Sequence, residues 1–324
     1  MVFKRNIFNR FFIDIFQILK IFIFRSKPII VIRLKGGLGN QLFIYAIGKK
    51  LSIKFDTKLL IDNYTGFAKD KKYKRISQLQ NLKVVRNDNV IFLPKFISLI
   101  LYLENKFQAI NLLNFKSIRN FSDLRNCIFE KDIIYRPLYL DYYSQYYSYF
   151  NDIREILIKE IKPSYFSEDV LKISDQIYNS KKSCAVQIRV FEPNPDIDKL
   201  NAISNYISKA CLELDDYENI TYYIFSESIY SKDIINNSLL KKFDKFFVTN
   251  NHKQECIGDM YLMSCCQNFI ITNSTFGWWG AWISPLDNKK VICPASLDRK
   301  DAIFGGSWDS EKIAPDNWIK MKLF

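Results

Sequence analysis

The chain has 324 residues, 48% of them hydrophobic, enough to bury a large core and to favour two domains. It carries 47 basic and 34 acidic residues, and the net charge of +13 suits anionic partners: phosphorylated donors, a lipid surface or nucleic acid. Seven scattered cysteines without CxxC spacing and a single histidine, His252, argue against a disulfide frame, a zinc site and a histidine-based triad.

Reduced thiols fit a cytosolic compartment, and any general base must be sought among carboxylates. No zinc-finger, RNA-binding or helix-turn-helix signature accompanies the charge, so nucleic acid is not an expected partner.

Residues 1–28 form a separate segment. Between residues 3 and 24, Phe, Ile and Leu recur at three- and four-residue spacings, with Lys4, Arg5, Arg10, Asp14 and Gln17 on the other face. No apolar run approaches the ~20 residues that span a bilayer. No small-residue cleavage site marks a signal peptide. Two readings stay open: a basic amphipathic helix on an anionic membrane surface, or a helix packed on a core or partner.

Ile29 to Leu34 reads as the first buried strand, Gly36 to Asn40 as its loop, and Gln41 to Phe55 as a helix. The glycines let backbone approach a ligand, but Leu42 occupies the place of the third glycine in GxGxxG, so a dinucleotide fold does not follow. Leu59 to Asp62 is a second strand. Lys69 to Arg75 (KDKKYKR) is the one dense basic run and reads as a solvated loop. Val90 to Phe115 suits one or two helices, with Pro94 as a start signal. Tyr135 to Phe150 holds seven tyrosines, which suit either a sugar-binding surface or plain packing.

Asn151 to Ile161 and Ser167 to Ser180 read as helices, with the domain junction near Pro163. From Cys184 strands and helices alternate. Strands are expected at Cys184 to Val190, Thr221 to Ser226, Phe246 to Thr249, Phe269 to Thr272 and Lys290 to Cys293. Leu200 to Leu214, Lys232 to Leu240 and Cys256 to Cys265 are the intervening helices. Such alternation implies a parallel sheet, and ligands bind beyond the carboxyl ends of its strands. Arg189, Ser226 and Asn273 all fall at such ends. The tail to Phe324 is expected to pack back over the first domain. Asp196-Ile197-Asp198 has the form of a DxD metal motif, but matches this short are common by chance and the string reads as a loop with solvated carboxylates.

The most informative stretch is Asn268 to Trp282, NFIITNSTFGWWGAW. A short strand runs into Asn273, Ser274 and Thr275, whose side chains can cap a helix expected from Phe276 to Ile283. Backbone N–H groups and the helix dipole make that junction an anion site. The string resembles the NSTFSWWGAWL signature of the family 11 glycosyltransferases, the bacterial and animal α-1,2-fucosyltransferases, with Gly277 in place of serine. Family blocks also occur at Gly36 to Ala46 (GGLGNQLFIYA) and Asp259 to Ile270 (DMYLMSCCQNFI), and IFSES at Ile224 to Ser228 resembles FSDD. The resemblance spans residues 29 to 320. One block departs from it: the family's HxRRxD reads Gln187-Ile188-Arg189-Val190-Phe191-Glu192, keeping the first arginine and an acidic residue.

The resemblance implies a GT-B type α/β fold, two Rossmann-like domains facing a cleft. Residues 29–165 would form the acceptor side, 166–300 the nucleotide-sugar donor domain and 301–324 a packing segment. It implies inverting transfer of L-fucose from GDP-fucose to the 2-hydroxyl of a galactose-terminated glycan, as in O-antigen or capsule synthesis, with no metal required. A cytoplasmic location fits, with peripheral attachment to the inner face of the membrane as one of the two readings of segment 1–28. Carried over residue by residue, Gly37, Gly39, Asn40, Gln41, Ser226, Glu227, Asn273, Ser274 and Thr275 would contact the donor. Asp259 would read guanine, its rival role being a helix N-cap. Arg189 would bind the leaving phosphate through its planar fork, and Glu192 is the candidate base. Another GDP-sugar or linkage stays open, as does a catalytically impaired donor-binding protein.

Overall fold

The computed structural model describes residues 29–107, 115–129, 136–142, 144–190, 194–248, 256–296 and 308–322. The expected N-terminal amphipathic helix lies outside them. The chain divides into two compact units after Ser144, with Asn81–Lys83 joining the second.

The first unit holds a five-stranded parallel sheet in the order β3-β2-β1-β5-β4. Strand β1 (Ile30–Arg33) leads through a glycine loop into α1 (Leu38–Lys54), then β2 (Leu59–Asp62), β3 (Val90–Phe92) and α2 (Lys95–Phe107). After these come β4 (Lys116–Ile118), α3 (Phe121–Phe129) and β5 (Leu138–Leu140). The central strand pairs on both sides, Ile30 with Leu59 and with Leu138, and its apolar residues are sealed from solvent. That is why it reads as a continuous apolar run and not as an alternation.

Three short strands were not foreseen. Val90–Phe92 lies in a stretch apolar enough to read as helix. Lys116–Ile118 and Leu138–Leu140 are each three residues long, below the length at which a period of two is visible. Helix α2 does begin just after Pro94. Its Ile97 and Leu101 pack on the sheet, while Phe96, Leu99, Ile100, Leu103 and Phe107 are 42–61% exposed along one stripe.

The second unit contains α4 (Arg154–Glu160), α5 (Glu168–Asn179), β6 (Ser183–Ile188), α6 (Ile197–Leu212), β7 (Thr221–Ser226), α7 (Ser231–Asn236) and β8 (Lys245–Val248). It continues with α8 (Cys256–Ser264), β9 (Asn268–Ile271), α9 (Thr275–Trp282), β10 (Lys290–Pro294), α10 (Ser310–Ile313) and β11 (Ile319–Met321). All six strands are parallel, in the order β11-β10-β9-β6-β7-β8. The alternation expected from Cys184 onward is therefore present, and the elements lie where the apolar pattern put them to within three residues, except that the helix expected at Lys232 to Leu240 stops at Asn236 and is followed by a separate 3-10 turn, Leu239–Lys242. Two differences concern the ends of the unit. The chain divides at Ser144, before the junction expected near Pro163, because Phe150 sits in the core of this unit against Trp278, Trp279 and Trp282. The tail, expected to return over the first domain, adds β11 beside β10 and sets Trp318 against Trp278.

Helix starts follow their sequence signals. Ser167 caps α5 by accepting from the Val170 N–H, and Asp196 caps α6 by accepting from the Lys199 N–H at 2.8 Å. The carboxyl end of α9 is closed by Arg154, which donates to the carbonyls of Trp282 and Ser284 at 3.0 and 2.6 Å. A cation there satisfies carbonyls left over by the helix and meets the negative end of its dipole.

Candidate active site

In the second unit β6 pairs with both β7 and β9, Ile188 opposite Ser226 and Gln187 opposite Ile271. The chain builds outward from β6 through β7 and β8, and from β9 through β10 and β11, so the topology switches between β6 and β9. Such a switch point leaves a crevice beyond the carboxyl ends of the strands. Arg189 follows β6, Ser226 closes β7 and Asn273 follows β9, which places these three expected residues on one edge.

Thr272, not foreseen as a site residue, ties this edge together. Its buried hydroxyl donates to Gln187 Oε1 at 2.9 Å and accepts from the Arg189 backbone N–H at 3.2 Å. The Thr272 N–H in turn donates to the Gln187 carbonyl at 3.2 Å. Its sequence signal was a hydroxyl at the end of an apolar strand, which alone does not separate it from Ser274 or Thr275.

The Arg189 guanidinium donates to Glu227 at 2.6 Å, with the two side chains 37% and 77% exposed. A pair this exposed contributes little to stability. It does hold the planar fork of Arg189 at the site, where a phosphate can take the place of the carboxylate. Glu227 is an acceptor only and suits ligand hydroxyls. Ser226 Oγ accepts from the Ser228 N–H at 3.1 Å and so shapes the turn after β7.

Helix α9 starts at Thr275 without the side-chain cap expected of Ser274. The amides of Thr275, Phe276 and Gly277 donate to no backbone carbonyl among the described residues. Three N–H groups at the positive end of a helix dipole thus border the same strand edge as Arg189. Asn273 and Ser274 are buried in the approach to that helix. Asp259 lies in the first turn of α8, which packs against α9. The helix already begins at Cys256, so Asp259 is not its N-cap. Glu192 and His252 lie outside the described residues. Asp196 is a helix cap, the first carboxylate of the DxD string being used on backbone. Among the described residues no three His, Cys, Asp or Glu side chains gather as metal ligands.

In the first unit the loop after β1 has Gly36 at φ +79°, a backbone region that favours glycine. Gly37 precedes α1, and nothing lies within 4 Å of where its side chain would begin. Asn40 is half-buried and its carboxamide makes no hydrogen bond among the described residues. Two of the expected donor contacts have structural roles here. Gly39 belongs to the buried first turn of α1, not to the loop. Gln41 is fully buried, with its amide donating to the carbonyls of Gly36 and Ile76, each at 3.0 Å, and its oxygen accepting from the Gln78 N–H at 2.9 Å. It fastens the loop, and its side-chain donors are already used.

A polar network at the carboxyl ends of β1, β2 and β5 had no motif to announce it. Arg33 donates to Asp141 at 2.9 Å and to Thr65 Oγ1 at 2.9 Å, and Lys35 donates to the Asp141 carboxylate at 3.1 Å. Asp62 accepts from the hydroxyls of Thr65 and Tyr139. Burial by itself would lower the Arg33 pKa, but the hydrogen bond and charge of Asp141 prevail and raise it. Burial, then the Asp62 charge, pushes the Tyr139 phenol up. The signal was present as charged residues ending apolar strands. The tyrosine run divides similarly: Tyr139 and Tyr149 are core, and Tyr146 stacks on Tyr149 with ring centroids 5.1 Å apart.

A model of the family described as Glycosyl transferase family 11 matches residues 29–322. The chain is 28% identical to an Alpha-1,2-colitosyltransferase of Escherichia coli over 91% of its length and 99% of the relative's. It is 24% identical to the O-antigen biosynthesis glycosyltransferase WbnK of Escherichia coli over 89% and 99%. Among solved structures it resembles NodZ alpha-1,6-fucosyltransferase co-crystallized with GDP, at 14% identity and TM-score 0.55, covering 83% of this chain and 96% of that one.

Proposed function

The chain belongs to glycosyl transferase family 11, and on that footing we propose that it moves L-fucose from GDP-fucose to the 2-hydroxyl of a galactoside, with inversion, in surface glycan synthesis. Glycosyltransferase activity follows from the family; the donor sugar, linkage and acceptor are the proposal. The observation that carries it is that Arg189 and the uncapped N-terminus of α9 follow the neighbouring strands β6 and β9 on one edge of the sheet, at its switch point. Charge builds on the leaving diphosphate as the sugar takes on oxocarbenium character, so positive groups at the leaving group lower the barrier most. Arg189 and the α9 amides supply such groups without a metal, and a rate unchanged by EDTA is the expected result. Asn273, Ser274 and Thr275 would line the same anion site, with Ser226 and Glu227 as further donor contacts of this unit, while Gly37 and Asn40 are the donor contacts proposed for the first unit. Glu192 is the proposed base.

NodZ was crystallised with GDP, and that supports a guanine nucleotide donor here. The colitosyl name of one relative favours a second reading, another sugar on the same kind of donor. A screen of GDP-sugars against galactose-terminated oligosaccharides, read by product mass, tests both. A fucosylated product supports the first, and a different added mass the second. GDP binding with no product for any donor would favour a donor-binding protein.

The proposed location is the inner face of the cytoplasmic membrane, with an anionic lipid surface as partner. No helix among the described residues is long and apolar enough to cross a membrane. Association would be peripheral, through the basic apolar segment 1–28 and the exposed stripe of α2. Lys95 and Lys106 border that stripe, and Lys95 lies over the ring of Tyr64, at the foot of the basic loop Lys69–Arg75. Segment 1–28 is itself basic, which disfavours it as a cover for a lysine-rimmed stripe and suits both to one anionic surface.

A further inference from the structure

Two departures from the family's motifs meet in space. Gln187 stands where HxRRxD has its histidine, and Gly277 where NSTFSWWGAW has its serine. A Cβ added at Gly277 would lie 2.8 Å from Gln187 Oε1 and 3.2 Å from its Cγ and Cδ. Non-bonded atoms of that size prefer about 3.5 Å or more. Gln187 cannot readily withdraw, because its oxygen accepts from the buried Thr272 hydroxyl at 2.9 Å.

The direction of that bond decides what else Gln187 can do. Thr272 Oγ1 already accepts from the Arg189 N–H, and Gln187 is the one acceptor its own proton meets among the described residues. The carboxamide oxygen therefore faces Thr272, and the nitrogen with its two N–H groups faces away. No acceptor for that nitrogen occurs among the described residues, yet it is not among the buried polar atoms sealed from solvent.

We propose that Gln187 is a ligand-contacting residue of the donor site. Its Nε2 supplies a neutral N–H donor to the diphosphate of the nucleotide-sugar, and the absence of a side chain at Gly277 makes room for the carboxamide oxygen on its other side, which fixes the orientation of that nitrogen. This rests on reading the β6–β9 edge as the nucleotide-sugar site. A histidine at this position would change its charge near pH ~6.5, whereas a carboxamide keeps the same donors throughout. Residues 187 and 277 are thus a coupled pair, and glutamine demands glycine.

The test uses the full chain as wild type, Gln187→Leu, Gln187→His, Gly277→Ser and the double variant Gln187→His/Gly277→Ser. Calorimetry with GDP, the pH dependence of transfer and the thermal midpoint are read for each. Gln187→Leu keeps the bulk and should weaken GDP binding roughly tenfold or more. Gln187→His should introduce a fall in rate as pH rises through about 6.5, absent in wild type. Gly277→Ser should lower both affinity and midpoint in the wild-type background and much less in the Gln187→His background, a non-additive cycle. Wild-type GDP affinity in Gln187→Leu, with only the midpoint lowered, would overturn the donor role and leave a packing residue. An additive cycle would overturn the coupling. Wild type that does not bind GDP would overturn the functional reading and the donor role together, with the stability cycle still deciding the coupling.

Discussion

Phe150 lies flat against Trp279, ring centroids 5.7 Å apart and planes 12° from parallel. The same ring meets Trp278 and Trp282 edge-on, so one phenylalanine just past the division at Ser144 anchors the helix that carries the candidate anion site. Phe150→Ala should cost about 3–5 kcal/mol of unfolding free energy, and Phe150→Leu markedly less, in urea titrations. An alanine variant as stable as wild type would show that the tryptophan cluster stands without it.

Arg189→Lys keeps the charge and loses the fork. Transfer should fall about a hundredfold, or roughly 3 kcal/mol, with the urea midpoint unchanged. Glu227→Gln removes an exposed partner and should shift stability by under about 1 kcal/mol. Wild-type turnover in Arg189→Lys would remove Arg189 from the leaving-group role.

Asp259→Ala should weaken GDP roughly tenfold or more while leaving the melting temperature near that of wild type. Guanine offers two adjacent donors to a carboxylate and adenine does not, so weak ADP binding should be untouched. Loss of GDP and of stability in equal measure would favour a structural role within the first turn of α8.

Alkaline pH should destabilise the protein. Burial raises the pKa of Cys184, Cys265 and Cys266, and pushes Cys211 and Cys293 up to about 12. A thiol ionising more easily when unfolded contributes stability that is complete below pH ~8.5 and is lost as pH rises toward the folded value. At pH 10 the loss is roughly 1–2 kcal/mol per fully buried thiol. Lys289 opposes this: burial, then the nearby Arg154 charge, lowers its pKa to about 8, so its folded state binds fewer protons than the unfolded chain between about 8 and 10.5. Urea midpoints at pH 7.5 and 10 should show a net fall, steeper in Lys289→Met. A midpoint that rises with pH would contradict the burial of the thiols.

Leu99→Gln with Leu103→Gln should reduce co-sedimentation with anionic vesicles tenfold or more and leave the melting temperature unchanged, both side chains being exposed. Each charge reversal in Lys69–Arg75 should weaken binding roughly fivefold at low salt. Vesicle binding unaffected by either change would leave the stripe without a lipid role.

Most of the second sheet was legible because its inner strands are buried on both faces and appear as apolar runs such as SCAVQI and NFII, each followed by a helical pattern, whereas the edge strand β11, only half-buried, gave no such run. The first sheet was half hidden: its outer strands are too short for a period of two, and glycines masked the true start of α1 at Leu38. Motif residues located the strand edge with Arg189 and Asn273. What lay beyond a linear reading was bonding between distant segments. The amide of Gln41 fastens Gly36 and Ile76, a structural role no motif announces, and Thr272, in sequence like any strand-end hydroxyl, joins Gln187 to Arg189.

The edge strand β11 carries a consequence for synthesis. Ile319–Met321 is the last element described and pairs directly with β10, Ile292 opposite Ile319. Until those residues leave the ribosome, β10 presents an unpaired parallel edge, and Trp278 lacks the ring of Trp318 beside it. Such an edge invites pairing with other nascent chains. A chain cut before Ile319 would therefore hold every candidate site residue and still leave that edge open to aggregation, and a substitution that breaks β11 would carry the same hazard.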